Sequence, residues 1–257
     1  MTVQYADDST PSKLRESQLG QELARVRQEY NDFVYIVSHD LKAPLRAIDS
    51  LASWIVKDYA AVVDEEGQEL LTLLRSRVNQ MNTLLEGLLQ YSRAGRIEED
   101  KVEINLNQFL ADIIKRIDPP GQVEITVEGD LPSVWIEQTQ LEQVFTHLLS
   151  NAVKYIDKPE GKVKISCVEA DDHWQFRVVD NGPGIDKKQF ARIFQIFQTL
   201  QPSDETDSCG AGLAITRKII ELWGGAVWVE SEIRHGSTFY FSLPKENLTL
   251  RISQGGN

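Results

Sequence analysis

The first ninety residues carry apolar positions that repeat with the period of an α-helix. From Leu14 to about Ala60, apolar residues recur at spacings of three, four and seven, which predicts one long amphipathic helix. Its apolar face includes Leu23, Val26, Tyr30, Phe33, Val37, Leu41, Ile48 and Ile55. Gly67 interrupts the pattern and predicts a turn, after which a second helix begins near Leu70 and ends before the charged stretch 92–100.

Two long helices joined by a short turn predict an antiparallel hairpin with an apolar stripe on each helix. A hairpin alone cannot bury both stripes, whereas pairing with a second copy in a dimeric four-helix bundle buries them. The alternative, in which the two helices pack on the rest of the same chain, stays open at this point.

The sequence after residue 100 interleaves short strands with helices. Strand patterns lie at 101–106, 123–129, 161–180 (a hairpin that turns at Asp171 and Asp172), 226–232 and 237–244, and helix patterns lie at 137–156 and 211–223. This order predicts an α/β sandwich with helices on one face of a mixed sheet, and an α+β chain overall. The boundary between the two regions is expected between Gly95 and Lys101, where glycine and charge replace the apolar stripe.

Composition narrows the classes of protein to consider. A net charge of -12 over 257 residues disfavours binding to nucleic acid or to an anionic membrane surface. Cys167 and Cys209 match no metal-ligand spacing, which predicts free thiols in a reducing compartment. No apolar stretch reaches the roughly 18 residues of a membrane span, and the first residues lack an apolar signal-peptide core, so we expect a cytoplasmic chain.

Two glycine-rich segments predict a nucleotide site. Asp180 ends a predicted strand, where its carboxylate can accept a hydrogen bond from an exocyclic amine such as that of adenine, and Gly182 and Gly184 follow it. By itself this segment also fits a surface β-turn. Gly210 and Gly212 precede an apolar helix, whose first N–H groups and dipole favour a phosphate group.

The helix before these segments carries polar residues suited to a metal-bound phosphate chain. Asn151 offers a neutral oxygen to a Mg²⁺ ion that also binds phosphates, and Lys154 lies near the same helix face to contact phosphate. The alternative is that Asn151 is a satisfied polar group and Lys154 a solvated one. The polar tract 198–209, between the two glycine segments, has little apolar anchoring and predicts a mobile lid.

In this order the motifs resemble those of the catalytic core of a sensor histidine kinase of two-component systems. SHDLKAPLR (38–46) resembles the phospho-acceptor segment, LLSNAVKY (148–155) the asparagine segment, DNGPGI (180–185) and GAGLAI (210–215) the glycine segments, IFQIF (193–197) the phenylalanine segment and GSTFYFSLP (236–244) the closing strand. The resemblance covers about residues 15–245. It implies a dimerisation and histidine phosphotransfer hairpin followed by a Bergerat-type ATP-binding domain that uses ATP and Mg²⁺.

The resemblance also implies which residues bind the nucleotide. They are Asn151, Lys154, Tyr155, Asp180, Gly182, Gly184, Ile185, Phe197, Gly210, Ala211, Gly212, Leu213 and Thr238. Asn151 is the expected Mg²⁺ ligand. His147 is an indirect candidate, through metal-bound water or phosphate, and a packing role for it is an equal alternative.

At the other end of the chain, the resemblance makes His39 the catalytic nucleophile. One nitrogen of its neutral imidazole attacks the γ-phosphate of ATP, so that His39 becomes phosphorylated. Asp40 is expected to hydrogen-bond the other nitrogen, to fix the tautomer and to accept the released proton. Pro44 removes one helical N–H and predicts a bend beside the reacting group.

Three positions depart from the family pattern. Ala43 stands where phosphatase-competent members usually have Thr or Asn, which predicts weak or absent phosphatase activity towards a phosphorylated partner. His147 replaces an Asn and is not the Glu with which related ATPases activate water, which favours transfer to His39 over plain hydrolysis. Ser208 replaces a frequent first glycine of the second glycine segment, which predicts a stiffer lid.

We therefore expect an ATP-dependent histidine autokinase that passes its phosphoryl group to an aspartate of a response regulator. The expected parts are a tail and signalling helix (1–30), the dimerisation and phosphotransfer domain (31–97), the catalytic domain (98–250) and a tail (251–257). The hairpin would form a homodimer, and an upstream sensory module or sensor partner would supply the signal. A degenerate nucleotide-binding dimeric scaffold and a hydrolytic clamp ATPase of the same fold are the alternatives.

Overall fold

The computed structural model of the chain consists of two compact units, Met1–Ser92 and Arg93–Asn257. It describes residues 10–59, 62–95, 99–117, 119–200 and 209–245. Ser208, most of the predicted lid and the predicted tail 251–257 lie outside the described residues, as does part of the expected boundary region, so those predictions stay predictions.

The first unit is the predicted helical hairpin. It contains α1 (Thr10–Asp58) and α2 (Glu65–Arg93). Ser92 Oγ donates to Asn31 Oδ1 at 3.0 Å, and Arg75 forms an ion pair with Asp49 at 3.2 Å, so the two helices run antiparallel. Buried positions recur along α1 at spacings of four and seven, at Val34, Ser38, Leu45 and Ala52. In the described part of the chain, no helix is both long and apolar enough to cross a membrane.

The turn between the helices differs from the prediction at Gly67. Helix α2 already begins at Glu65, so Gly67 lies in its first turn and does not break the pattern. Asp64 Oδ1 accepts a hydrogen bond from the Gly67 N–H at 2.9 Å, in the manner of an N-terminal cap. A Cβ at Gly67 would come within 2.5 Å of the Val63 side chain, which explains why glycine suits a capped first turn here.

Helix α1 continues through Pro44 as a single element. Proline has no N–H to donate to the Asp40 carbonyl group, so one hydrogen bond of the helical ladder is missing. The bend predicted at Pro44 therefore does not break the helix into two elements.

The second unit is built on a five-stranded sheet with strand order β2-β4-β5-β7-β6. Its elements in chain order are β1 (Val102–Asn105), α3 (Leu106–Ile117), β2 (Val123–Glu128), β3 (Ser133–Ile136), α4 (Gln138–Lys154), β4 (Gly161–Glu169), β5 (His173–Asp180), α5 (Gly212–Leu222), β6 (Val227–Glu232) and β7 (Gly236–Pro244). Strands β2 and β4 are parallel and the other pairs are antiparallel, so the predicted mixed sheet is confirmed. The sequence patterns did not predict α3 or β3. Strand β3 pairs with β1 in a small second sheet.

The core of the second unit lies on one face of the sheet. Helix α4 packs on β4 and β5, and α5 packs on β6 and β7. The rings of Phe176 and Phe241 stack at 4.7 Å between centroids, and Phe145 of α4 meets Phe241 edge to face at 5.5 Å. Because strand residues alternate between faces, every second residue of these strands points to the helices. That alternation decides which polar side chains reach the interior.

Both cysteines lie in the second unit and are free. Burial, with a smaller contribution from Glu169, raises the pKa of the Cys167 thiol to about 12, so it stays protonated and unreactive at neutral pH.

Candidate functional site

His39 is an exposed histidine on α1 with a carboxylate beside it. Its side chain is 70% exposed and that of Asp40 72%, because both lie away from the buried residues of the same helix. His39 Nδ1 lies 3.2 Å from Asp40 Oδ1. When Nδ1 carries the proton and donates to this carboxylate, the lone pair is on Nε2. The predicted pairing of His39 with Asp40 is therefore present in the structure.

Asp180 ends strand β5 on the face that the helices cover. Its Oδ1 accepts hydrogen bonds from the N–H groups of Gly182 at 2.9 Å and Ser237 at 3.2 Å. Burial raises the pKa of this carboxyl group, while the two N–H donors and the positive charge of Lys158 oppose the rise. Both of these N–H groups donate to Oδ1, so within the described residues Oδ2 is the oxygen suited to an adenine amine.

The loop after Asp180 is held against the turn between β6 and β7. The Ile185 N–H donates to Ser231 Oγ at 2.8 Å, and the Arg234 N–H donates to the Pro183 carbonyl at 2.6 Å. Gly184 has φ +76°, and a Cβ there would overlap the Glu232 carbonyl oxygen. Glycine is required at this position because the backbone of the turn occupies the space of a side chain.

The strand register separates Thr238, an expected nucleotide-binding residue, from this group. In the pairing of β5 with β7, Asp180 lies opposite Ser237, whereas Thr238 lies opposite Val179. Residues opposite one another point to the same face of a sheet, so Thr238 points away from Asp180. Ser237 is buried, and its hydroxyl lies 3.0 Å from that of Ser231. Ser237 and Ser231 are the site residues that the sequence analysis missed. The alternation of β7 could have predicted Ser237, because Ser237 lies on the same face as the buried residues Phe239 and Phe241.

The second glycine segment leads into helix α5. Gly210 has φ +67°, and its carbonyl accepts a hydrogen bond from the Phe197 N–H at 3.0 Å. Phe197 itself has φ 64°, and its ring is partly exposed. The phenylalanine segment therefore holds the glycine segment through the backbone. Ala211, Gly212 and Leu213 form the start of α5, where the first N–H groups have no partner within the helix.

His147 lies on α4 against this helix start. A Cβ at Gly212 would come within 3.3 Å of the His147 ring, so the imidazole packs against the glycine backbone. Burial lowers the pKa of His147 to about 4, and the ring is neutral at pH 7. Its buried Nδ1 has no hydrogen-bond partner among the described residues. An unpartnered buried nitrogen is costly, which makes His147 suited to a polar ligand.

Asn151 and Lys154 follow His147 by one and two turns of α4. Asn151 is partly buried, and the Lys154 ammonium group lies 5.7 Å from the centre of the Tyr155 ring. The Tyr155 carbonyl approaches Gly182, where a Cβ would lie 3.2 Å from its oxygen. The described residues contain no cluster of three or more His, Cys, Asp or Glu side chains that could hold a metal ion. The amide of Asn151 offers a neutral oxygen, which suits a metal ion that has phosphate ligands of its own.

Sequence comparisons place both units in known families. Residues 136–247 match the family of histidine kinase-, DNA gyrase B-, and HSP90-like ATPases. Residues 29–97 match the His Kinase A (phospho-acceptor) domain. The chain belongs to the sensor histidine kinases. The first match makes the second unit of this histidine kinase an ATP-binding domain, and the second places His39 in its phospho-acceptor domain.

Relatives of this histidine kinase include much longer proteins. It is 41% identical over 234 residues to cyanobacterial phytochrome B of Nostoc sp. (strain PCC 7120), with 88% of this chain and 31% of the relative covered. It is 30% identical to the methanogenesis regulatory histidine kinase FilI of Methanothrix harundinacea, with 84% and 25% covered. The chain spans less than a third of the length of these curated relatives.

Solved structures agree with the fold. Full-length ShkA in complex with AMPPNP superposes with a TM-score of 0.61 at 26% identity, covering 83% of this chain and 45% of that chain. The histidine kinase AdeS of Acinetobacter baumannii, at 20% identity and a TM-score of 0.54, supports the fold alone. A helical hairpin followed by an α/β ATPase domain, as predicted, is confirmed.

Proposed function

We propose that the chain is an ATP-dependent histidine autokinase that phosphorylates His39. The observation that carries the proposal is the exposed His39 imidazole, with Asp40 at 3.2 Å, in a chain that also contains an ATP-binding domain. A degenerate scaffold would have no need of a nucleophile paired with a carboxylate. A hydrolytic clamp would need a residue that activates water, and burial makes the His147 imidazole a weak base, because it lowers the pKa to about 4.

The nucleotide would bind in the second unit. The adenine amine would donate to Asp180 Oδ2, while the first N–H groups of α5 would bind the phosphate chain. Asn151 would hold Mg²⁺ together with the phosphates, and the positive charge of Lys154 would attract them. When bound, Mg²⁺ neutralises negative charge on the transferring phosphoryl group.

The transfer to His39 needs one nucleophile and one proton acceptor. The Nε2 lone pair attacks the γ-phosphorus; the P–N bond forms while the bond to the β,γ-bridging oxygen breaks, and ADP leaves with that electron pair. Asp40 accepts the Nδ1 proton and so removes positive charge from the ring. In the second transfer, a carboxylate oxygen of a response regulator attacks the same phosphorus and the P–N bond breaks.

The hairpin would act as a homodimer. Apolar side chains on α1 recur at spacings of four and three, and each is more than half exposed: Leu19, Leu23, Val26, Tyr30 and Phe33. Further along, Leu41, Ile48 and Ile55 of α1 and Leu74 and Met81 of α2 are 40 to 49% exposed. This spacing is that of a coiled coil continuing into a four-helix bundle, and a second copy would bury both stripes.

Signal input and partner dephosphorylation are further parts of the proposal. An upstream sensory module or sensor partner would act through the N-terminal part of α1. Ala43 is exposed one turn after His39 and offers no hydroxyl or amide to orient a water molecule. We expect weak or absent phosphatase activity. Rapid release of phosphate from a purified phosphorylated receiver by this chain, in the absence of nucleotide, would contradict this expectation.

The decisive experiment incubates the chain with γ-labelled ATP and Mg²⁺, beside His39→Gln. We expect label that is labile in acid, stable in alkali and absent from the variant, because a phosphoramidate has this stability. A fluorescent ATP analogue reports binding in the same samples. If both proteins bind nucleotide and neither takes up label, the degenerate scaffold becomes the better description of the isolated chain.

A further inference from the structure

Tyr35 is an aromatic residue in an otherwise polar stripe of α1. Asp32, Tyr35, His39, Lys42 and Arg46 follow one another at spacings of three and four, which places them on one side of the helix. The exposed apolar stripe Leu19 to Phe33 follows a different set of positions. Tyr35 is 50% exposed, so neither the hairpin core nor that stripe accounts for an aromatic ring at this position.

The Tyr35 ring lies against the ring of His39. The two ring centroids are 6.3 Å apart with 28° between the ring planes, a stacked arrangement across one turn of the helix. Asp40 contacts the same imidazole at Nδ1. An exposed histidine otherwise rotates freely among its side-chain rotamers. Here two neighbours restrict it: a carboxylate at one nitrogen and an aromatic ring beside one face.

We propose that Tyr35 is a positioning residue that holds the His39 imidazole in the orientation from which Nε2 accepts the phosphoryl group. The inference rests on the proposed autokinase function. Tyr35 belongs to the first unit and lies beside the nucleophile, whereas the nucleotide segments belong to the second unit. Loss of its ring therefore lowers the rate of transfer and leaves the affinity for ATP unchanged, because a freely rotating ring spends less time aligned for attack.

The test compares Tyr35→Ala, Tyr35→Leu and Tyr35→Phe with the wild-type chain. Tyr59→Ala is the matched control, since Tyr59 is 59% exposed and lies twenty residues from His39 on the same helix hairpin. We expect kcat for autophosphorylation to fall about three- to tenfold in the Ala and Leu variants, as for loss of one aromatic pair. KM for ATP stays the same, the Phe variant retains the wild-type rate, and Tyr59→Ala does not change it.

A second measurement reports the stack without any catalysis. The chain has four histidines, and ¹³C-labelled histidine resonances can be assigned to His39 by their loss in His39→Gln. The ring current of Tyr35 should shift the His39 resonances in the wild type and the Phe variant, and this shift should vanish in the Ala and Leu variants.

Three outcomes would overturn the inference. One is a Leu variant with the wild-type kcat. Another is a Phe variant as slow as the Ala variant, which would assign the effect to the hydroxyl group. The third is an absence of any change in the His39 resonances on removal of the ring. If the wild type takes up no label, the autokinase proposal fails by itself, and the resonances alone decide whether Tyr35 holds the ring.

Discussion

The folding stability of this histidine kinase should depend on pH through one buried side chain, His147. The pKa of His147 falls from 6.5 to about 4 because burial disfavours the charged ring. On acidification the unfolded chain therefore takes up a proton first. The stability that His147 contributes is complete above about pH 6.5 and is lost progressively between that pH and about pH 4.

We expect this loss to show in the difference between the wild type and His147→Gln. Integration gives a fall of about 2 kcal/mol in the free energy of unfolding from pH 7 to about pH 5 for the titration of His147 alone. Urea unfolding of both proteins at the two pH values measures it, and all other groups cancel in the difference. Equal pH dependence in the two proteins would show that the imidazole is accessible to protons in the folded state.

Two adjacent residues of β7 should differ sharply in their effect on nucleotide binding. Ser237→Val removes the hydroxyl that lies 3.0 Å from Ser231 Oγ, and Ser231 Oγ in turn accepts from the Ile185 N–H of the loop after Asp180. We expect ADP affinity to fall about three- to tenfold, because this loop loses one supporting hydrogen bond. Thr238→Val changes a side chain on the opposite face of the sheet and should leave the affinity for ADP within about twofold of the wild type. Calorimetric titration with ADP measures both. A larger effect at Thr238 than at Ser237 would mean that the strand register is wrong.

At the scale of an element, the loop after β5 depends on contact with the β6–β7 turn. Gly184 and Gly129 both have φ +76°, but only Gly184 has backbone in the place of a Cβ, since Gly129 has no atom within 4 Å. Both alanine variants incur the strain of a left-handed residue, about 1 kcal/mol. Gly184→Ala must in addition displace the Glu232 carbonyl or the loop that follows Asp180, whose Gly182 N–H donates to the Asp180 carboxylate.

Comparison of Gly129→Ala with Gly184→Ala distinguishes the effect of backbone strain alone from the effect of a displaced site loop. We expect Gly129→Ala to lower the unfolding midpoint slightly and to bind ADP like the wild type. Gly184→Ala should lower the affinity for ADP at least about tenfold, since displacement of the loop moves the Asp180 carboxylate away from the adenine base. Thermal unfolding and titration with ADP measure the two effects, and normal affinity in Gly184→Ala would show that the loop moves without the site.

At the scale of the whole molecule, we expect the exposed apolar stripes of the hairpin to determine the oligomeric state. Ile48 is 40% exposed in the single chain, and an aspartate there would place a charge in the centre of the proposed four-helix bundle. We expect Ile48→Asp to convert a dimer to a monomer in light scattering. Ser50→Asp, at an exposed position two residues on, is the control and should stay dimeric. A monomeric wild type at micromolar concentration would contradict the proposed dimer.

Local periodicity was enough to predict most of this chain. The two helices and the mixed sheet follow from spacings of two, three, four and seven, which neighbouring residues determine among themselves. The pairing of His39 with Asp40 was expected from the resemblance of the motifs to a known family, and not from periodicity. The start of α2 at Glu65 was missed because a side-chain cap, here Asp64, compensates for a glycine. Strand β3 was missed because its four residues are too few to show an alternation. Helix α3 has twelve residues, and its buried positions Leu106, Leu110 and Ile113 follow the helical period, so the sequence held a signal for it that the sequence analysis did not use.

Only the tertiary structure decided which side chains share the site. The choice of Ser237 over Thr238 depends on the register of β7 against β5, and the burial of His147 depends on the close approach of Gly212 from another helix. Contacts of this kind join residues that are far apart along the chain. Their free energy depends on distances and dielectric surroundings that arise only when the elements pack, so no local pattern in the sequence records them.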